Sequence, residues 1–329
     1  MKSLGVLTVV FILLLAGFAE GAGARQEQGA RQAFERVKLT VAAKSLTFLP
    51  YYFGKAKGIF DREGIDLEIV VMRPPLGITA LEAGELEYSA SSGVGMRAAA
   101  KGLPLRALMF MQTRLSFSLV GQPGMTAAKI RTVAVSGIGS LAHYAAIAVV
   151  KKLGRGGPND KVTYTVTNTT ANSYAALIGK ATDAAILTPP YTSMATLAGY
   201  ADLGDSFEMR DAQGGLVVRA EYLQERPRQI KAMIRAVLRT LDTVLKDEGE
   251  VVAYMQKEFG LERGVAGGSY RILKHVLSPD GDIEEPVLKS IVEKIKQESS
   301  IATDVPIDRV ADLSILREAR AELQSKGER

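Results

Sequence analysis

Residues 51–67 read YYFGKAKGIFDREGIDL and combine a helical segment, a glycine-marked turn and the start of a strand. The apolar and aromatic spacing predicts a helix over Tyr51 to Gly58. An apolar strand follows over Leu67 to Val71. A helix that leads directly into a strand is the repeating unit of α/β folds, so this segment predicts that class.

The same alternation extends on both sides of this segment and predicts a largely parallel sheet. Further strands are predicted over Val37 to Ala42, Glu87 to Ala90, Ala107 to Met111, Thr132 to Val135, Val162 to Val166 and Ala184 to Leu187. Further helices are predicted over Gly77 to Ala83, Met96 to Lys101, Ser140 to Leu153 and Ser173 to Ile178. From Arg226 onward almost only helical periodicity remains, which predicts a helical C-terminal part.

Length and composition set the class of protein. A chain of 329 residues is long enough for two compact bodies, at roughly 100 to 200 residues per domain. The absence of cysteine from the sequence excludes disulfides, thiol nucleophiles and cysteine-ligated metals, and two histidines leave little for a histidine-rich metal site. We therefore expect no cofactor, no metal site and no catalytic residues.

The amino terminus has the pattern of a secretory signal. Lys2 precedes an apolar stretch from Leu4 to Ala19, and Ala22-Gly23-Ala24 provides small residues for cleavage near Ala24. The alternative is an anchoring transmembrane helix, which normally needs about 20 apolar residues. We expect no nucleic-acid partner despite a net charge of +5, because the protein is expected to be exported to the periplasm or the extracellular space.

The segment at 51–67 also resembles the periplasmic substrate-binding proteins of ABC transporters, in the nitrate, sulfonate and taurine group. The same group is suggested by ALEAGELEY at 80–88, by GLPLR at 102–106 and by Gly179 to Asp183 together with Thr188-Pro189-Pro190. This resemblance implies a two-lobe periplasmic binding protein fold of type II. Lobe one would hold residues 37–116 and 214–329, and lobe two residues 117–213.

The resemblance implies further that a small ligand binds between the lobes and is delivered to an ABC permease. The protein would meet the membrane only through that permease and act as a monomer. Two extended segments, Ser116 to Gln122 and Gly214 to Ala220, are candidate crossovers between the lobes.

Small polar loops follow the predicted strands. Ligands of open α/β sheets bind beyond the carboxyl ends of strands, and helix amino termini there favour anions. The candidate ligand-binding residues are Ser45, Thr47, Phe48, Arg73, Ser91, Ser92, Gly93, Arg114, Gly139, Ser140, Thr169, Thr188 and Tyr191. The alternative for each hydroxyl is a turn or helix cap without a ligand.

Two arginines in this set are suited to a carboxylate or sulfonate, because a guanidinium donates two parallel hydrogen bonds to such groups. Arg114 ranks above Arg73, since a residue at the crossover faces both lobes. Phe48 and Tyr191 are candidates to flank an organic part of the ligand. The sequence thus predicts an exported binding protein for a small anion.

Three other functions remain as alternatives or are set aside. A thiamine-pyrimidine-type binding protein or enzyme on the same scaffold is one alternative, and a ligand-sensing module for a membrane receptor is another. The run Gly93 to Ala98 fits the dinucleotide pattern GxGxxA, but no acidic residue follows about 20 positions later. We do not expect nucleotide binding.

Overall fold

The computed structural model describes residues 35–157 and 160–327, and the predicted signal peptide lies outside them. The strands are β1 (Glu35–Val41), β2 (Ile65–Val71), β3 (Tyr88–Ser89), β4 (Leu105–Met109), β5 (Gln112–Arg114), β6 (Ser118–Gly121), β7 (Thr132–Val135), β8 (Thr163–Val166), β9 (Ala184–Leu187), β10 (Ala201–Asp205), β11 (Arg210–Gln213) and β12 (Leu216–Arg219). The helices are α1 (Leu49–Ala56), α2 (Ile59–Arg62), α3 (Pro74–Glu82), α4 (Ser92–Ala100), α5 (Leu141–Lys152), α6 (Thr170–Ile178), α7 (Tyr191–Leu197), α8 (Tyr222–Glu225), α9 (Pro227–Lys246), α10 (Glu248–Phe259), α11 (Arg263–Val276), α12 (Glu285–Glu298), α13 (Ile307–Val310) and α14 (Ser314–Ser325). A 3-10 turn, Leu46–Phe48, precedes α1.

The strands form two separate five-stranded sheets. The first sheet has the order β2-β1-β3-β12-β4, and the second has the order β10-β6-β9-β7-β8. In the first sheet β1 is parallel to both β2 and β3; in the second β7 is parallel to both β8 and β9. Helical crossovers produce this parallel pairing. Strand β12 pairs antiparallel with β3 and β4, and β6 pairs antiparallel with β9 and β10. The predicted α/β class is therefore confirmed, but each sheet is mixed rather than largely parallel.

Strand β1 shows why these residues form a central strand. Its inward positions Val37, Leu39 and Val41 are fully buried, and Thr40 between them is buried as well. A strand covered on both faces needs apolar or small residues at consecutive positions, which Leu39, Thr40 and Val41 provide, whereas Lys38 is only partly buried.

A third, two-stranded sheet lies between the others in chain order. Strands β5 and β11 pair antiparallel, with Arg210 opposite Arg114 and Gln213 opposite Gln112. The predicted crossover segments lie mostly in β6 and β12, which are members of the second and first sheets. Their apolar residues are buried within those sheets, whereas the more polar β5 and β11 connect the two.

Helices α3, α4 and α6 begin earlier than the sequence predicts, with α6 starting at Thr170 instead of Ser173. Helix α3 begins at Pro74, because proline at a first helical position has a suitable φ and needs no N–H partner. Helix α4 begins at Ser92 and includes two glycines that the sequence prediction left outside it.

The C-terminal part is helical, as the periodicity predicts. Helices α13 and α14 pack against β4 of the first sheet, whereas α11 packs against α7 and α10. Helix α9 buries one apolar face against α1, α2 and α14. Its basic face makes ion pairs within the chain: Glu63 contacts both Arg235 and Arg239, each at 2.8 Å. Among residues 35–157 and 160–327, no helix has both the length and the apolar character that a bilayer span requires.

Candidate functional site

Polar loops stand at the carboxyl ends of six parallel strands. The loops after β1, β2 and β3 belong to the first sheet, and those after β7, β8 and β9 belong to the second. Strands β5 and β11 connect the two sheets. The sequence-predicted residues therefore form two groups, one on each sheet.

Hydroxyl groups of the first-sheet loops are uncommitted. The side chains of Ser45, Thr47 and Ser91 are partly buried and make no hydrogen bond to another described residue. Ser92 is fully buried, and its hydroxyl donates to the Met109 carbonyl at 3.4 Å. Three hydroxyls on this side therefore have no hydrogen-bond partner among the described residues.

The second-sheet hydroxyls have local partners. Ser140 Oγ accepts from the His143 N–H at 3.2 Å and caps α5. Thr169 Oγ1 accepts from the Asn172 N–H at 3.1 Å and caps α6. A hydroxyl that caps a helix already has its acceptor role filled, so the capping alternative describes these two side chains.

Three further candidates of the second sheet lie in the same loops. The Thr188 N–H donates to Thr170 Oγ1 at 3.4 Å. Gly139 has a φ of 75°, which favours glycine, and its N–H donates to His143 Nδ1 at 3.0 Å. The partly exposed Tyr191 packs against Tyr174, with ring centroids 5.4 Å apart.

Two candidate ligand-binding residues of the first sheet, Phe48 and Gly93, are explained mainly by packing within the protein. Phe48 is 7% exposed and belongs to the main hydrophobic core. Gly93 opens α4 directly against β11, since a Cβ there would lie 3.1 Å from the Ala212 carbonyl oxygen. The glycines of the GxGxxA run thus allow α4 to approach the sheet closely.

The two candidate arginines have different surroundings. Arg114 Nη1 lies 2.9 Å from Glu208 Oε2, and its hydrogen bond is the main cause that lowers the pKa of Glu208. Arg114 also lines a cavity of about 520 Å³ that contains four acidic residues, namely Asp280, Asp282, Glu284 and Glu285. Arg73 is exposed at the start of α3 and forms no ion pair within the described residues. Arg73 is therefore the candidate with an uncompensated charge.

Sequence reasoning missed two polar features between the sheets. Gln112 on β5 is 1% exposed, and its Nε2 lies 3.4 Å from the Thr47 carbonyl oxygen. Lys294 on α12 lies 3.6 Å from Asp211 Oδ2 of β11. The sequence did offer one indication of Gln112, because it is a polar residue directly after an apolar predicted strand. It offered none of the contact between Lys294 and Asp211, since these residues are far apart in the chain.

The described ranges contain no grouping of three or more His, Asp or Glu side chains that could hold a metal ion.

Solved structures share this arrangement at low sequence identity. A putative periplasmic sulfonate-binding protein from Methylobacillus flagellatus has a TM-score of 0.69 and 14% identity, covering 90% of this chain and 96% of its own. The aliphatic sulphonate-binding protein of Escherichia coli has a TM-score of 0.64 and 16% identity, with coverages of 84% and 92%. A ligand-binding component of an ABC-type import system from Staphylococcus aureus has a TM-score of 0.65 and 16% identity, with coverages of 87% and 99%. These similarities confirm the predicted periplasmic binding protein fold.

Family membership follows from the sequence. A comparison with curated proteins found no match. The family model described as NMT1/THI5 like matches residues 45–250. Because this match covers more than half of the chain, the protein belongs to the NMT1/THI5-like family.

Proposed function

We propose that this protein is an exported solute-binding protein that captures a small anion between two lobes and delivers it to an ABC permease. The observation that supports this most directly is the position of the six polar loops. All six follow parallel strands of two sheets that β5 and β11 connect. The similar solved structures include a ligand-binding component of an ABC-type import system and the periplasmic sulfonate-binding protein of a putative ABC transporter, which supports the same role.

The proposed lobes follow the two sheets. Lobe one comprises residues 37–116 and 214–329, and lobe two comprises residues 117–213. The single antiparallel pair of β5 with β11 is suited to a hinge, because few backbone angles need to change when the lobes close. Closure is favoured when a ligand makes contacts to both lobes at once.

The proposed ligand is a carboxylate, a sulfonate or a related oxyanion. The uncommitted hydroxyls of Ser45, Thr47 and Ser91 are hydrogen-bond donors for such a group. The uncompensated guanidinium of Arg73 is suited to charge-assisted bonds to the same group. Tyr191 and Tyr174 provide an aromatic wall on the second-sheet side.

A thermal-shift screen followed by calorimetry tests this function. The panel contains sulfonates, carboxylates, nitrate, bicarbonate and pyrimidines. A ligand bound by the folded state alone raises the melting temperature, because it stabilises by RT ln(1 + [L]/Kd). An anion that raises it and is recovered unchanged supports the proposal. A best ligand that is a neutral pyrimidine, or one converted to product, favours the thiamine-pyrimidine alternatives.

Export and delivery need separate measurements. We expect the mature chain to begin near Arg25, which mass spectrometry of the exported protein checks. An uncleaved product that pellets with membranes contradicts this. Ligand uptake into vesicles that contain the cognate permease distinguishes transport from signalling to a receptor.

A further inference from the structure

Gln112 has one amide atom without a partner. Its residue is 1% exposed, and Nε2 makes a long hydrogen bond of 3.4 Å to the Thr47 carbonyl. Its acceptor, Oε1, is fully buried and makes no hydrogen bond to any described residue. A buried acceptor without a donor is costly, because it loses its bonds to water and gains none.

The orientation of this amide is fixed by its neighbour. Rotating the amide by 180° would place Oε1 against the Thr47 carbonyl oxygen, and two acceptors repel each other. Nε2 therefore faces Thr47, and Oε1 remains the unpartnered atom.

A second buried glutamine shows what a satisfied amide looks like in this protein. Gln229 on α9 is 6% exposed. Its Oε1 accepts from the Tyr88 hydroxyl at 3.2 Å, and its Nε2 donates to Glu35 Oε1. Burial of a glutamine alone therefore does not account for the free acceptor of Gln112.

The position of Gln112 connects this acceptor with the proposed ligand site. Strand β5 lies between the two sheets and pairs with β11. The contact atom, Thr47 O, belongs to the first-sheet loop that also holds the uncommitted hydroxyls of Ser45 and Thr47. Gln112 thus lies on the connecting strand, directly beside that loop.

We infer that the ligand donates an N–H or O–H hydrogen bond to Gln112 Oε1. This inference rests on the proposed solute-binding function and narrows its ligand class. The ligand is an organic acid with a hydroxyl, amino or ring N–H group. Bare oxyanions such as nitrate, and unsubstituted alkanesulfonates, lack that donor and leave Oε1 unpaired.

Matched ligand pairs test the inference by calorimetry. Isethionate is compared with 1-propanesulfonate, and lactate with isobutyrate; in each pair a hydroxyl replaces a methyl group. We expect at least one donor-bearing member to bind wild-type protein about tenfold more tightly than its partner. The difference should disappear in Gln112→Met, which keeps the shape and removes the acceptor. Equal binding within every pair that binds, or a preference that persists in Gln112→Met, overturns the inference.

The ligand-free protein provides an independent measurement. We expect Gln112→Met to keep or raise the melting temperature, because it removes an unpaired acceptor and only one long hydrogen bond. Gln229→Met is the matched control and should lower it by several degrees, since Tyr88 and Glu35 lose their partner. If Gln112→Met lowers the melting temperature as much as Gln229→Met does, the Gln112 amide already has its hydrogen-bond partners within the protein, and the inference is overturned. If no panel member binds, the anion proposal fails, while this measurement still decides the role of Gln112.

Discussion

Lys294 on α12 lies over the ring of Tyr144 on α5, with Nζ 5.2 Å from the ring centroid. The same ammonium group is 3.6 Å from Asp211 Oδ2 on β11. Helix α5 packs on the second sheet, whereas α12 packs against α4 and α13 of the first-sheet region. One side chain thus joins both proposed lobes next to a connecting strand.

Removal of this contact should loosen the packing between the two proposed lobes. We expect Lys294→Ala to enlarge the radius of gyration measured by small-angle X-ray scattering and to weaken ligand binding roughly two- to fivefold. The reason is that a cation–π contact at an exposed site contributes about 0.5–1 kcal/mol. Lys289→Ala is the control, because Lys289 is on the same helix and pairs only with the neighbouring Glu285. An unchanged radius in Lys294→Ala, or an equal change in the control, would contradict the prediction.

The candidate arginines should differ in their effect on anion binding. We expect Arg73→Ala to weaken binding of an anionic ligand about tenfold to hundredfold, as loss of a charge-assisted bond costs on the order of 1.5–3 kcal/mol. Arg114→Ala should have a smaller effect, since Glu208 already compensates that charge. This order reverses the ranking that sequence position alone suggests.

Calorimetry with the anion from the screen measures both variants. Arg62→Ala serves as the control, because Arg62 is an exposed arginine on α2 whose Nη1 bonds only to a nearby backbone carbonyl. The assignment of Arg73 is wrong if Arg73→Ala binds as well as Arg62→Ala.

Close packing of α4 on the first sheet should make Gly95 intolerant of a side chain. A Cβ at this position would lie 2.7 Å from both methyl carbons of Val217. We expect Gly95→Ala to lower the free energy of unfolding by about 1–3 kcal/mol through overpacking, measured by urea denaturation. Gly249→Ala is a helical control with ordinary space around its Cβ and should be neutral or stabilising. Equal stability of the two variants would refute the packing argument.

The pH dependence of stability should include a contribution from Glu322. The hydrogen bond from Lys231 is the main cause that lowers the pKa of Glu322 below its ordinary value of 4.5. A lowered carboxyl pKa stabilises the folded protein above pH 4.5, and this contribution is lost as the pH falls through the folded-state pKa. Wild-type protein should therefore have a higher melting temperature than Glu322→Gln at pH 7, and the difference should shrink toward pH 3.

Thermal unfolding between pH 7 and pH 3 measures this difference. Glu82→Gln, which removes an exposed carboxylate of α3, is the control for the change in net charge, and a pH-dependent difference equal to that of Glu322→Gln would contradict the prediction. A constant difference between wild type and Glu322→Gln across the range would show that the carboxylate contributes no pH-dependent stability.

Local pattern determined the alternation of strands and helices. The strands β7 and β9 have the predicted bounds, and the C-terminal helices follow the predicted periodicity. The loops at the strand ends were predictable for the same reason, because strand direction in a parallel sheet fixes which end carries them. The sequence alone therefore determined the α/β class and where polar loops stand.

Partners of individual side chains were decided only by the tertiary structure. Ser140 and Ser45 both precede helical turns, yet Ser140 caps its helix and Ser45 has no side-chain partner. Gln112 meets Thr47 through folding of β5 against the loop after β1, and Lys294 meets Tyr144 through docking of α12 near α5. Hydrogen bonds and cation–π contacts form over only a few ångströms, so they depend on how distant segments pack rather than on local spacing in the chain.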